Sequence, residues 1–361
     1  MDNDDPPLIL LLFNVETNAI VTNPRDFIAL QDTAKVAEQI FANLKARGWS
    51  VFLIPVESSL DDLEQLLRPY QPETAFIFNL CDGFNGSNKD AFLVIRLIEH
   101  LGFSHTGSSA KTISVCINKQ LTKTVLKNNN IPTPDSQLFT ITGIPYRYDF
   151  PAIVKPSCDD GSMGIDSESV VNSNDALMDR VALILERYHQ PVLVEKFIPG
   201  REFSVSLWGN QKIEVLPITE MDYSDITDPL KHILSYESKW EPESFFYKNI
   251  HSHCPAQLNA FDEKQIKEVA IRAYRVLGLR DFGRVDIRYF QETPYVIDVN
   301  EIPDLGSDSG FPIAANQGGY SYISMVEHIL NLAIEREKWP KSQMSLDLKS
   351  RRKSMNKQFL K

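Results

Sequence analysis

The stretch "DFGRVDIRYFQETPYVIDVNEIP", residues 281–303, contains two runs, RVDIRYF and PYVIDVN, whose side-chain character alternates with period two. Gln291, Glu292 and Thr293 separate them, as in a hairpin with a three-residue loop. A register symmetric about Glu292 sets Arg284 opposite Asn300 and Asp286 opposite Asp298, with all four side chains on one face of the sheet. Two carboxylates directly opposite each other repel and destabilise the strand pair. Two readings of that face are open. A dication held by Asp286, Asp298 and the Asn300 amide removes the repulsion, and hard oxygen donors with free coordination positions match Mg²⁺. Alternatively the face is solvated and Arg284 pairs with one of the acids.

The chain has 361 residues, more than a single core usually organises, so two or three domains with a cleft between them are expected. Its net charge of -11 argues against nucleic-acid binding, which runs on surplus Lys and Arg. Only the tail from Ser345 to Lys361 is basic, and it reads as a solvated, mobile end. The start, "MDNDDPPLILLLFNV", is acidic where a signal peptide would be basic, and its apolar run is too short to span a bilayer. A cytoplasmic protein without a membrane partner is expected. Cys81, Cys116, Cys158 and Cys254 are scattered without CxxC spacing, which points to neither a disulfide framework nor a zinc site. His251 and His253 beside Cys254 share a strand face, but no second cluster completes a metal site.

Along the chain, Leu8–Phe13 is a continuous apolar run suited to a buried parallel strand. Val36, Ile40, Phe41 and Leu44 follow at helical spacing, Gly48 stands where a helix-ending glycine belongs, and SVFLIPV reads as the next strand. TAFIFNL and SNKDAFLVIRLIEHLG repeat the strand-helix alternation, so residues 1–115 form an open α/β domain. PAIVKPS, QPVLVEKF and GREFSVSLWG, with a helix around 174–188, give an antiparallel α+β domain over 116–208. Residues 209–340 form the third domain. Within it, 219–247 has no sustained period and reads as a lid loop, helices cover 263–277 and roughly 321–338, and the basic tail occupies 341–361.

Two further segments carry candidate chemistry. In "PAIVKPSCDDGSMGI", residues 151–165, Lys155 ends an apolar strand, and the following loop offers backbone N–H groups at Gly161, Ser162 and Gly164 that suit phosphate oxygens. A plain turn reads the same way. In "VLVEKFIPGREF", residues 192–203, Glu195 and Glu202 bracket an apolar slot at Phe197 and Ile198 that suits adenine and ribose, although a strand-turn-strand with solvated acids also fits. GxxxxGK[ST] and GxGxxG are both absent, so a nucleotide site here needs another architecture.

Taken together with "HTGSSAKTISVCINKQLTKTVLKNNNIPTP", these segments resemble, in order and spacing, the D-alanine-D-alanine ligase family of the ATP-grasp superfamily, over about residues 8 to 335. The resemblance implies a mixed α/β and α+β ATP-grasp fold of three domains, with the nucleotide site between the central and C-terminal ones. It implies ATP and two Mg²⁺ as cofactors. Lys119, Lys155 and Ser162 would hold phosphates, Glu195, Lys196, Phe197 and Ile198 would meet adenine, Glu202 the ribose, and Ile297 would pack under the base. Asp286, Asp298 and Asn300 would bind the metals. The family activates a carboxylate as an acyl phosphate, which an amine then attacks. Arg284, the backbone N–H of Gly306 and the lid residue Lys239 would serve that chemistry, and Ser309 would bind the carboxylate of the attacking amino acid. Small-molecule acid and amino acid are then the partners, and a homodimer is compatible with the family.

The pattern breaks at the first substrate. The family's glycine-rich turn and its glutamate are replaced by "LFNVETNAIVTNP", with Glu16 the nearest substitute. Gly161 stands for the first of two serines, and Trp240 for the lid tyrosine. These changes suggest a ring-bearing or bulky acid in place of D-alanine, and the pattern is similar to that of ligases joining an amino acid to mycosporine-glycine. Gly310, where the family usually carries leucine, leaves room beside Ser309 for a serine- or threonine-like acceptor. An ordinary D-alanine-D-alanine ligase and a non-catalytic ATP-binding regulator are the alternatives. Retention of Arg284 and the lysines speaks against the regulator.

Overall fold

The computed structural model describes residues 6–15, 27–57, 59–84 and 87–337. Glu16, the acidic start and the basic tail lie outside the described residues. In the N-terminal part, β1 (Leu8–Asn14), α1 (Phe27–Ala46), β2 (Val51–Val56), α2 (Leu60–Leu67), β3 (Ala75–Asn79), α3 (Ala91–His100) and β4 (Ser104–His105) build a parallel sheet of order β2-β1-β3-β4. The unbroken apolar run of β1 follows from burial on both faces. Ile9 and Leu11 meet the cluster of α1, whereas Leu10 and Leu12 meet that of α2 and α3. Gly48 ends α1 with φ +84°, donating to the Lys45 carbonyl at 2.9 Å.

Two helices follow, α4 (Ala110–Cys116) and α5 (Lys119–Asn128), capped by Ser109 and Asn118. The central antiparallel sheet has order β5-β8-β6-β7 and contains β5 (Ser136–Phe139), β6 (Ala152–Pro156), β7 (Val170–Val171) and β8 (Val192–Lys196), with α6 (Asn174–Tyr188) packed on it. The C-terminal sheet takes β9 (Arg201–Gly209), β10 (Ile213–Val215), β11 (Thr219–Asp222), and, after α7 (Tyr236–Trp240) and α8 (Phe245–Asn249), β12 (His251–His253). Helix α9 (Ala260–Leu277) leads into the hairpin β13 (Phe282–Phe290) and β14 (Thr293–Asn300), and α10 (Gly310–Gln317) and α11 (Tyr322–Arg336) are the last elements among the described residues.

The expected domain limits need three corrections. Strand β9 pairs with β11 and β13, so the boundary placed at 208 cuts the C-terminal sheet; GREFSVSLWG belongs to that sheet. Helix α5 packs through Leu126 against α9 and the same sheet, leaving the central sheet domain to β5–β8 and α6. Helices α10 and α11 bury Phe311, Met325 and Ile329 with Ile9, Leu11 and Val36, and so cover the N-terminal sheet. Residues 219–247 are also more regular than their aperiodic sequence suggests, since they contain β11, α7 and most of α8. Among the described residues no helix is long and apolar enough to cross a membrane.

One buried acid ties these parts together. Asp281 is 0% exposed and has φ +64°. Its carboxylate accepts from Gly107 N at 2.8 Å, from Asn210 Nδ2 at 3.0 Å, and from Arg336 Nε and Nη2 at 3.0 Å each. Those donors come from the loop after β4, the end of β9 and the last turn of α11. Asp281→Ala, which removes the buried acceptor shared by Gly107, Asn210 and Arg336, should cost about 3–5 kcal/mol in urea unfolding. Arg336→Met should cost less, because Gly107 and Asn210 still serve the acid.

Candidate active site

The hairpin delivers the pairs expected of it by another route. Gln291 and Glu292 both have positive φ, at 48° and 58°, so the loop has two residues, not three. Such a turn pairs Phe290 with Thr293 and Ile287 with Val296. Ile297 is then an extra residue, a bulge, and beyond it Asp286 faces Asp298 and Arg284 faces Asn300. The repulsion between the acids is already relieved, since each has its own cation. Arg284 grips Asp286 with Nε at 2.9 Å and Nη2 at 3.0 Å, and Ser204 Oγ and Asn300 Nδ2 add donors at 3.0 and 3.1 Å. Burial would lower the Arg284 guanidinium, but the charge and hydrogen bonds of Asp286 raise it.

Lys119 opens α5 and reaches Asp298 at 3.0 and 3.1 Å and Asp160 at 3.1 Å. Burial pushes the Asp298 carboxyl up, yet Lys119 and then Lys155 outweigh it and hold it at about 2. Lys155, at the end of β6, comes within 3.0 Å of Glu195 Oε1 on β8 and 3.4 Å of the Ile297 carbonyl. A residue that sequence reasoning missed, Lys123, meets the same Glu195 oxygen at 3.0 Å. It lies one helical turn beyond Lys119, and that spacing was the available signal.

Toward the expected adenine side, Phe197 and Ile198 are buried and Lys196 is exposed, while Ile297 is half-buried. Glu202 already has partners: Arg288 at 2.6 Å and the Tyr223 hydroxyl at 2.7 Å, with the Arg288 guanidinium lying 5.3 Å from the Phe197 ring centre. Neither Arg288 nor Tyr223 stood out in the sequence.

The lid segment sits on the loop after Lys155. Ser162 Oγ donates to the Leu234 carbonyl at 2.8 Å, Tyr236 N to the Ile165 carbonyl at 2.7 Å, and Trp240 Nε1 to the Gly161 carbonyl at 3.0 Å. Thus Trp240 and Gly161, 79 residues apart in sequence, touch. The indole N–H is committed to the loop, which narrows the open stacking surface expected of it to the ring faces. Lys239 is half-buried with no ion-pair partner among the described residues; burial and then the Arg284 charge lower its ammonium.

On the opposite wall, Ser309 caps the start of α10 in extended conformation, and its Oγ donates to the Asp304 carbonyl at 2.8 Å. The Gly306 N–H, the expected oxyanion donor, donates to Asp304 Oδ1 at 2.7 Å. A Cβ on Gly310 would meet nothing within 4 Å, so that position is open. Nearby, Asp82 follows β3 and accepts from Thr33 Oγ1 at 3.4 Å. The residue reaches solvent, but crowding of its carboxyl by protein, then the charges of Asp304 and Asp160, push it up to about 7. Away from this cleft, His253 on β12 is exposed and bonds Asp222 at 2.9 Å.

Cations from α5, β6 and β13 gather at a face of paired acids, under a lid and between two antiparallel sheets; this architecture is that of an ATP-grasp ligase, an enzyme that forms carbon-nitrogen bonds. A family model described as "D-ala D-ala ligase C-terminus" matches residues 120–331. An uncharacterised protein of Sinorhizobium fredii is 30% identical over 84% of this chain and 88% of its own length. The D-alanine-D-alanine ligase of Thermotoga maritima is 31% identical over 72% of this chain and 80% of its own. In fold, the D-alanine-D-alanine ligase of Bacillus anthracis complexed with ATP superposes with a TM-score of 0.72 at 20% identity, covering 92% of this chain and 99% of that one. The VanG D-Ala:D-Ser ligase of Enterococcus faecalis gives 0.66 at 18% identity, over 91% and 100%. The chain belongs to the D-alanine-D-alanine ligase family.

The raised carboxyl of Asp82 has a pH signature. The folded state binds its proton up to about pH 7, whereas an unfolded aspartate releases it near the ordinary 3.8. The stability this proton contributes is present below the unfolded value and lost as pH rises through the folded one. Asp82→Asn should therefore raise the urea midpoint at pH 8 relative to the parent, and the gain should shrink toward pH 4.

Proposed function

We propose that this protein is an ATP-dependent ligase that phosphorylates a carboxylate or vinylogous acid and condenses it with the amine of an amino acid. An oxygen of the first substrate attacks the γ-phosphorus and ADP leaves. The amine then adds to the activated carbon, and phosphate departs from the tetrahedral intermediate as the carbon-nitrogen bond is kept. The observation that carries this reading is a cluster of cations on the hairpin face, with Lys119 paired to Asp298 and Asp160, Arg284 to Asp286 and Lys155 to Glu195 beside them, and with Lys239 half-buried in the lid.

The donor set fits Mg²⁺: two carboxylates and the Asn300 amide oxygen are hard ligands, few enough to leave positions for water and phosphate oxygens. Asp286, Asp298 and Asn300 would hold the metal, two ions in this reading, which when bound would neutralise charge on the transferring phosphoryl group. Around it, Lys119 and Lys155 bind phosphate oxygens, and Lys239 closes the same space from the lid. Phe197, Ile198 and Ile297 give the base its apolar walls. Glu202 meets the ribose while Arg288 and Tyr223 fix its carboxylate in place. Arg284, aimed at the hairpin face, stabilises the developing oxyanion. The lid shields the activated acid from water. Ser309, with the open position of Gly310, receives the carboxylate of the amino acid that supplies the amine.

For the first substrate we infer a ring-bearing acid, with mycosporine-glycine the leading member. The altered serine, tyrosine and glycine-rich-turn positions support this, and the Trp240–Gly161 contact places two of the altered residues side by side. D-alanine in both sites is the second reading, favoured by the names of relatives 28–31% identical to this chain. Incubation with ATP, Mg²⁺, an amino-acid panel and either mycosporine-glycine or D-alanine, read by mass spectrometry, separates them; a D-alanine dimer formed efficiently overturns the ring-acid reading. Asp298→Ala should lower Mg²⁺-dependent ADP release at least about a hundredfold, in the range of losses seen when a transition-state charge partner is removed. Full turnover by that variant would remove the metal assignment.

A further inference from the structure

Lys123 has no place in the chemistry described so far, yet it occupies one of the most enclosed positions in the cleft. Its side chain is 3% exposed, that of Lys155 8%, and that of Glu195 between them 2%. Both ammonium groups lie 3.0 Å from the same oxygen, Glu195 Oε1. One carboxylate charge thus serves two cations, so the buried cluster carries an excess positive charge that must fall on one of them.

The surroundings decide which. Lys123 has a second acceptor, the Thr133 hydroxyl at 2.9 Å, whose own proton goes to the Val296 carbonyl at 2.8 Å, so the oxygen it presents to Lys123 is an acceptor. Lys155 has only the Ile297 carbonyl at 3.4 Å, a weak contact. Lys123 is therefore the better anchored partner of Glu195. Lys155, at the mouth of the loop that carries Gly161 and Ser162, is the one whose charge is left over. The charged groups around Lys123 are Glu195 on β8, Lys155 on β6 and Asp298 on β14. Burial first, and then Lys155, lower the Lys123 ammonium to about 8 against the pull of Glu195, which agrees with a cluster short of negative charge.

We propose that Lys123 is a positioning residue that holds Glu195, so that Lys155 remains available to a nucleotide phosphate instead of closing into a private ion pair. The inference rests on the reading that Lys155 binds phosphate. Without Lys123, Glu195 and Lys155 would face each other alone in a low-dielectric pocket, where a pair attracts far more strongly than in water. An incoming phosphate would then have to break that pair first.

The test uses the full chain and a non-hydrolysable ATP analogue with Mg²⁺, with affinity measured by calorimetry, alongside steady-state kinetics. Lys123→Met should weaken analogue binding about tenfold, the scale of one charge-assisted contact, and raise the KM for ATP to match while kcat at saturating ATP stays within a few-fold. Lys123→Met/Glu195→Gln, which removes one charge of each sign and keeps an acceptor oxygen beside the base, should recover most of the lost affinity. A purely structural role for Lys123 predicts no such recovery, since both changes would then add. Lys123→Gln, which keeps a polar end between Glu195 and Thr133, provides the same comparison should the methionine variant fail to fold. Unchanged affinity in the single variants, or a double variant no tighter than the single, overturns the proposal. Lys155→Met separates the two layers: if it binds the analogue as the parent does, the phosphate reading of Lys155 is what fails.

Discussion

The contact of Lys119 with Asp298 and Asp160 is the constraint on which the cleft depends. Facing acids on adjacent strands are unfavourable unless cations stand close, and here the cation comes from a helix in a different part of the chain. That requirement pulls the start of α5 onto the hairpin. Once α5 is there, its next turn falls against β8, and Lys123 meets Glu195. A third turn brings Lys127 to Asp135 ahead of β5 at 2.8 Å, this time at the surface. One helix face thus joins the central and C-terminal sheets through a row of ion pairs that is driest in the middle, at Lys123 and Glu195, and wettest at Lys127 and Asp135. The dry pair matters most, because ion pairs in water contribute little.

Function inherits this arrangement. An empty cleft lined only with acids would repel a nucleotide, and one lined only with lysines would repel metal ions. Pairing each acid with a resident cation keeps both classes of group charged, close and nearly balanced. The low pKa of Asp298 is the electrostatic record of that balance. The lid adds a different kind of order, because its hydrogen bonds join it to the Gly161 and Ile165 carbonyls and the Ser162 hydroxyl of the loop after Lys155, independent of charge. The loop and lid are thereby joined as a single wall.

What could be read from the sequence follows the range of the forces involved. The apolar run of β1, the alternation in β13 and β14 and the glycine that ends α1 are local patterns, and each appears where expected. The pairing of Asp286 with Asp298 was also legible, since it needed only the hairpin. Domain limits were not. Whether β9 joins the sheet before it or after it depends on hydrogen bonds to β13, some eighty residues further on. The roles of Asp281 and Lys123 were hidden for the same reason, since their partners come from distant segments. The bond from the Gly306 N–H to Asp304 was not legible either, because it depends on the path of the loop ahead of α10. In the lid, aperiodic sequence concealed short helices because each is only five residues long and is started by a serine cap, not by a sustained apolar stripe.

The bulge at Ile297 has a consequence for how this hairpin tolerates change. Side chains on a strand alternate between cleft and core, so a shift of one residue turns a strand inside out. Drawn without the bulge, the two-residue turn would carry Asp298 opposite Val285, whose side chain is wholly buried in the core. The active face therefore depends on the parity of the segment between Asp286 and Asp298, counted over turn and strand together. A longer turn with a straight strand satisfies that parity, and so does the short turn with one extra residue found here. Any rebuilding of the tip that alters the count by one, without compensation in the strand, exchanges a carboxylate in the cleft for a carboxylate in the core.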